Sequence, residues 1–269
     1  MAVVTMKFIG TGGAWSKKYG HTSCLVTVKN NGITKRILID CGGLVPLYLD
    51  MAGVKWEDID AIFVTHNHGD HTHGLEEAGF YGRYTLQRKP HLILPSERIK
   101  TELWNETLKG TMAKAEEGNL SFKDYFTFEI VDRTGRFFDF NGVMFSVFPT
   151  YHVKNKQSFG LFIGEGEKYI MYSGDALLNP TLVDMAMKDG MVAMFHDCGF
   201  YDGEGKVHAS LNDLLALPAD QRKRTYIMHY PDNVHDKWEE IHGAGIKIAE
   251  IGEEYIFEVG SLVEMTSNT

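Results

Sequence analysis

The sequence predicts an α/β fold in which helices cover the faces of sheet. Three observations carry that expectation. Short apolar, β-rich runs recur along the whole chain, each stops abruptly at a polar or glycine-bearing loop, and helix-like segments lie between them. The strand-like runs are residues 6–9, 24–28, 36–39, 61–64, 143–148, 168–172, 192–195 and 224–228. The helix-like segments are 44–52, 72–81, 96–117, 181–188, 210–216 and 233–242. Ser96 serves as an N-cap for the longest of these, and Gly118-Asn119 is expected to end it. Alternation of this kind implies layered packing without choosing between one sheet and two. No low-complexity linker, fixed-period repeat or composition break divides residues 1–269, so one domain is expected.

Composition removes several functions. No run of about 18 apolar residues is present, which argues against a membrane span. The start, MAVVTMK, lacks the charged and long apolar regions of a secretory signal. Cys24, Cys41 and Cys198 are too few and too scattered for a disulfide framework, so reduced thiols in a cytoplasmic protein are expected. A formal charge of -9 repels a polyanion, which disfavours long nucleic acids as ligands. A small phosphate ester remains admissible where metal ions sit in the site.

Strand ends carry the chemistry. The run 61–64 leads into THNHGDHTHG, with His66, His68, Asp70 and His71. The run 143–148 leads through Pro149, Thr150 and Tyr151 to His152, and 168–172 through Ser173 and Gly174 to Asp175. The run 192–195 ends at His196 and Asp197, and 224–228 at His229. A rigid sheet with converging loops is how an α/β enzyme gathers a site. Imidazole and carboxylate suit zinc and similar divalent ions, and a pair of ions needs about seven such groups. His66 and His68 are two apart, so in an extended segment both side chains leave on one side. Gly69 then lets the chain turn, and Asp70 and His71 face a second ion from a helix start.

These residues resemble the metallo-β-lactamase superfamily, whose mark is His-x-His-x-Asp-His after a buried strand. Here it stands as HNHGDH at 66–71, preceded by IDCGG at 39–43 and followed in order by PTYH, SGDA and MHY. IHGAGIKIAEIGEEYIFEV, at 241–259, is similar to the family's last helix and strands. The resemblance implies a four-layer αββα sandwich with the site at one edge between its sheets. It implies a first metal on His66, His68 and His152, a second on Asp70, His71 and His229, and Asp175 bridging both. Two Zn2+ per chain are expected, because the oxygen-reducing branch has glutamate in the position of His68; Mn2+ is the lesser expectation. Asp40 is expected to hydrogen-bond a ligand imidazole and fix its tautomer.

Two stretches point to a branch. SGDA, and FHDCGF followed by KVHAS at 206–210, are similar to the ribonuclease Z-like phosphodiesterases. In that branch a histidine in the position of His208 protonates the leaving oxygen, while Asp70 ligates and orients the nucleophile. Bacterial ribonuclease Z carries a long arm for transfer RNA between its third and fourth motifs. Here only residues 153–174 separate His152 from Asp175, too few for such an arm. An armless chain opening with GTGGAW resembles the anti-Pycsar phosphodiesterases, which implies hydrolysis of cyclic mononucleotides by a homodimer. The alternatives are a metal-dependent acyl hydrolase, a transfer RNA 3′-processing endonuclease, and a protein that binds a signalling nucleotide without cleaving it.

Other residues draw blander readings. Gly10, Gly12 and Gly13 do not make GxGxxG, so a tight strand-to-strand turn is expected there. Lys17 and Lys18 read as solvated charge, and His73 as a histidine that is not a ligand. His196 and Asp197 read as a hydrogen-bonded pair near the site, and Cys198 as a buried thiol. Met185, Met187, Met191 and Met194 read as core. Phe122, Tyr125, Phe126 and Phe128 also read as core, with a lid or a dimer contact as the other uses of such residues.

Overall fold

The alternation resolves into two sheets packed face to face, each covered on its outer side by helices. A computed structural model describes residues 2–134, 136–165, 168–258 and 266–267. Val259, the last residue of the stretch likened to the family's closing strands, lies outside them. Among the described residues the first sheet has the order Thr266–Ser267, Glu254–Glu258, Val3–Gly10, Ser23–Asn30, Ile33–Ile39, Ala61–Phe63, His91–Leu94, Thr127–Ile130. The second has Lys247–Ile248, Thr225–Met228, Met191–Asp197, Lys168–Tyr172, Ser158–Glu165, Val143–Thr150, Phe137–Phe140.

The two sheets are built alike. In the first, Val3–Gly10, Ser23–Asn30 and Ile33–Ile39 are antiparallel neighbours, and Ala61–Phe63, His91–Leu94 and Thr127–Ile130 follow in parallel. In the second, Val143–Thr150, Ser158–Glu165 and Lys168–Tyr172 are antiparallel, with Met191–Asp197, Thr225–Met228 and Lys247–Ile248 following in parallel. Parallel neighbours need crossovers, and these supply the outer helices. Val45–Met51, Leu75–Phe80 and Glu97–Glu102 serve the first sheet; Pro180–Lys188, Leu211–Leu215 and Trp238–Gly243 serve the second. The architecture is αββα.

Between the sheets the core is aromatic. Phe195 lies 5.1 Å from Phe8, 4.9 Å from Tyr226 and 5.0 Å from Tyr255, centroid to centroid. Parallel strands covered on both faces read as continuous apolar runs, which is why 61–64 and 191–195 show no alternation. Outside the second sheet, Met191 and Met194 pack with Val183, Ala186, Leu214 and Ile241. Met185 departs from the expected core set at 62% exposure, because it sits on the solvent face of Pro180–Lys188. Phe122, Tyr125 and Phe126 are buried, and Phe128 packs partly buried against them.

One helix is shorter than expected. Ser96 does cap it, its Oγ accepting the Ile99 N–H at 3.2 Å. Helical structure, with a π turn at Leu103–Leu108, ends at Met112 and not at Glu117. A small hairpin, Lys114–Ala115 against Gly118–Asn119, takes the remainder. Gly118 sits there at φ +115, which a helix cannot use, and Leu120 N–H closes the turn on the Ala113 carbonyl. Helix propensity in the run KAEE yields to that turn.

Phe195 is fully buried at the centre of the sandwich. Phe195→Ala is expected to destabilise the fold by about 3–5 kcal/mol, read as a lower midpoint in urea unfolding with m unchanged.

Candidate metal centre

The site forms where strands of both sheets end along one edge. Ala61–Phe63 is followed by His66 and His68, then by the single helical turn Gly69–Thr72 that carries Asp70 and His71. Val143–Thr150 delivers His152, Lys168–Tyr172 delivers Asp175 and Thr225–Met228 delivers His229. The chain packs too closely here for larger residues. A Cβ on Gly42 would lie 1.9 Å from the Asp70 carbonyl oxygen.

These seven side chains form two clusters that share Asp175. His66, His68, His152 and Asp175 bring one ligand atom each within 4.8 Å of one another, as do Asp70, His71, Asp175 and His229. His68 Nδ1 lies 3.0 Å from His66 Nε2 and 3.2 Å from His152 Nε2. Three ring nitrogens at such distances need a proton or a cation between them. Burial holds His66 well below the ordinary imidazole value, and burial with the charges of His152 and Lys156 lowers His68 to about 4. Protonation is thus disfavoured, and a cation fits. In the other cluster His71 Nε2 is buried without a hydrogen-bond partner, 3.3 Å from Asp70 Oδ2 and 3.4 Å from Asp175 Oδ1. Burial lowers His71, but the charges of Asp175, Asp70 and Asp40 outweigh it and hold it well above the ordinary imidazole value. Its Nε2 thus points between two carboxylates, where a bound cation would take the place of a proton.

Backing hydrogen bonds aim the rings. His71 Nδ1–H donates to Asp40 Oδ2 at 2.8 Å, and His152 Nδ1–H to the Val207 carbonyl at 2.8 Å. The Thr65 hydroxyl donates to Asp40 Oδ2 at 2.7 Å, so its oxygen receives the His66 Nδ1 proton across 3.0 Å. Asp40 therefore orients one imidazole of each cluster, directly or through Thr65. It sits in the left-handed region at φ 62, where aspartate is tolerated. Burial raises the Asp175 carboxyl, but His229 and His71 outweigh it and hold it well below the usual carboxylate range. Burial likewise opposes ionisation of Asp70, and His71 and His229 lower it overall.

His208 stands at the rim, its Nδ1 2.8 Å from Asp197 Oδ2 and 3.9 Å from Asp175 Oδ2. Burial pulls its pKa down, while the hydrogen bond and charge of Asp197 outweigh that and raise it. Asp197 Oδ2 also accepts the Ala176 N–H at 3.1 Å, and His196 Nδ1–H donates to the Asp197 backbone carbonyl at 2.9 Å. His196 itself belongs to neither cluster and lines a cavity with Phe148, Met171 and Leu182. His73 is exposed beyond the helical turn. Sequence reasoning missed the orienting parts of Thr65 and Asp197, although each adjoins a histidine it had singled out. It also missed His21, half-buried beside Asp70, whose Nδ1 accepts the Leu44 N–H at 3.2 Å.

Asp175→Ala is expected to lose both ions, and His68→Ala one, when bound zinc is measured by mass spectrometry. Asp40→Asn should keep the fold by circular dichroism while metal affinity drops about 10–100-fold against a competing chelator.

Residues 4–253 match the sequence profile of the family described as "Anti-Pycsar protein Apyc1". A protein of that name from Bacillus phage BSP38 is 36% identical over 239 residues, covering 86% of this chain and 90% of its own. One from Saccharibacillus brassicae is 35% identical over 232 residues, covering 86% and 91%. The metallo-β-lactamase fold protein YhfI of Bacillus subtilis superposes with a TM-score of 0.69 at 15% identity, covering 96% of this chain and all of that one. The chain belongs to the anti-Pycsar Apyc1 family, as a metal-dependent hydrolase on the metallo-β-lactamase fold.

Proposed function

We propose that this protein is a dinuclear zinc phosphodiesterase that hydrolyses 3′,5′-cyclic mononucleotides. The observation that carries the reading is the Asp197–His208 pair at the edge of two ligand clusters sharing one carboxylate. The resemblance to anti-Pycsar phosphodiesterases adds the cyclic nucleotide. The site asks for a small substrate, because Ser158–Glu165 and Lys168–Tyr172, paired antiparallel, occupy most of the connection between His152 and Asp175. No transfer RNA arm fits there. No helix among the described residues is long and apolar enough to cross a membrane. We propose a homodimer in the cytoplasm of the cell that holds it.

Zinc at these clusters would polarise the phosphoryl oxygens and make a nucleophile available at neutral pH. His66, His68 and His152 would hold one ion, Asp70, His71 and His229 the other, and Asp175 both. Asp70 also fixes the line of attack through its place between His71 and His229. His208, charged and braced by Asp197, gives its Nε2 proton to the leaving sugar oxygen, and the 3′ or 5′ bond to phosphorus breaks. Asp197 keeps that ring upright and holds its proton to higher pH.

Three outcomes test the reading. Zinc-loaded protein should hydrolyse a cyclic mononucleotide panel and leave a lactone, a thioester and a β-lactam intact, with chelator abolishing turnover. Recovery of the nucleotides unchanged would refute it. His208→Ala should lower kcat about 10²–10⁴-fold at unchanged metal content. Asp197→Asn removes the charge that raises the His208 pKa, so the alkaline limb of the kcat profile should move to lower pH.

A further inference from the structure

Trp15 is 88% exposed, more than any other large apolar side chain among the described residues. Leaving an indole in water forgoes one of the largest burial gains available to a side chain. A loose loop would make that unremarkable, but this loop is pinned at both ends. Gly13 N–H donates to the Tyr230 carbonyl at 3.0 Å, and Ser16 N–H closes the turn on the Gly13 carbonyl at 3.0 Å. Beyond it, Ser16 Oγ donates to Asp232 Oδ1 at 2.6 Å, and the Lys17 and Lys18 N–H groups reach the same carboxylate at 3.0 and 3.1 Å. A Cβ on Gly12 would meet Ser16 Oγ at 2.3 Å, so the turn has no slack.

The partners outside the turn, Tyr230 and Asp232, belong to the segment that begins with His229. A Cβ on Gly13 would lie 3.1 Å from the His229 carbonyl oxygen and 3.6 Å from its imidazole. Two residues span at most about 7 Å, so the Trp15 backbone lies close to His229. The Tyr201 hydroxyl donates to the Glu204 carbonyl at 2.9 Å, and Tyr151 lines the cavity that contains His196. Among the described residues no ring or hydrogen-bond partner engages the Trp15 indole.

We propose that Trp15 is the stacking platform for the nucleobase of the substrate, a positioning and affinity residue outside the metal centre. The role rests on the cyclic nucleotide reading above. A diester held at the two clusters carries its base outward, and a rigid, pre-exposed indole offers a flat face at little entropic cost.

The test compares zinc-loaded wild type, Trp15→Ala and Trp15→Phe on cyclic mononucleotides and on methyl riboside 3′,5′-cyclic phosphate, which lacks a base. Trp15→Ala should raise KM for the nucleotides roughly 5- to 150-fold with kcat kept, Trp15→Phe should restore most of it, and the base-free diester should be indifferent. Independently of turnover, a nucleoside 5′-monophosphate should quench tryptophan emission in wild type and not in Trp15→Ala, whereas ribose 5-phosphate should quench neither. The elution volume on size exclusion should be the same for all three proteins. An unchanged nucleotide KM, an equal loss on the base-free diester, or a changed elution volume overturns the stacking role; the last assigns Trp15 to a contact between copies. A wild type that cleaves no cyclic nucleotide sinks the functional reading itself, and is told apart from these because it appears before any substitution.

Discussion

Five imidazoles surround the carboxylate of Asp175, and the rest of the molecule is arranged to bring them there. His71 Nε2 lies 3.4 Å from it, His229 Nε2 3.5 Å, His66 Nε2 and His152 Nε2 3.7 Å, and His208 Nδ1 3.9 Å. They come from four places in the chain. Bringing them together costs desolvation at every group, which only charge pairing, backing hydrogen bonds and a bound cation can offset. The aromatic core between the sheets fixes the strand ends to which these groups attach, so packing precision and site geometry are one requirement.

Orientation is as costly as proximity. Asp40 is wholly buried in a left-handed conformation, yet it aligns His71 directly and His66 through Thr65. Asp197 plays the corresponding part for His208, held in turn by the Ala176 N–H. Carboxylate-backed imidazoles thus recur on each side of the site.

Much of the site was legible because ligand chemistry is local. His66 to His71 stand in one short run, and His152, Asp175 and His229 each follow an apolar strand. The αββα layering followed from the resemblance more than from periodicity, since strands such as Ser158–Glu165, broken by Gly160 and Gly164, carry little signal alone. Helix 96–117 was overdrawn because a favourable composition hid a turn that depends on Gly118. The orienting roles of Asp197 and Thr65 were missed for a different reason. Their significance lies in which atom each side chain faces, and adjacency in sequence does not encode that.

The matching strand plans of the two sheets have a consequence for how the protein holds together. Each cluster takes two side chains from the first half of the chain, and the remainder from the second. Neither half can grip an ion firmly by itself. A cation seated in either cluster acts as a rivet through the sandwich, joining layers that otherwise meet through apolar contact. Occupancy and quaternary-like cohesion of the halves would then rise and fall together, and loss of the ion would be felt across the whole seam.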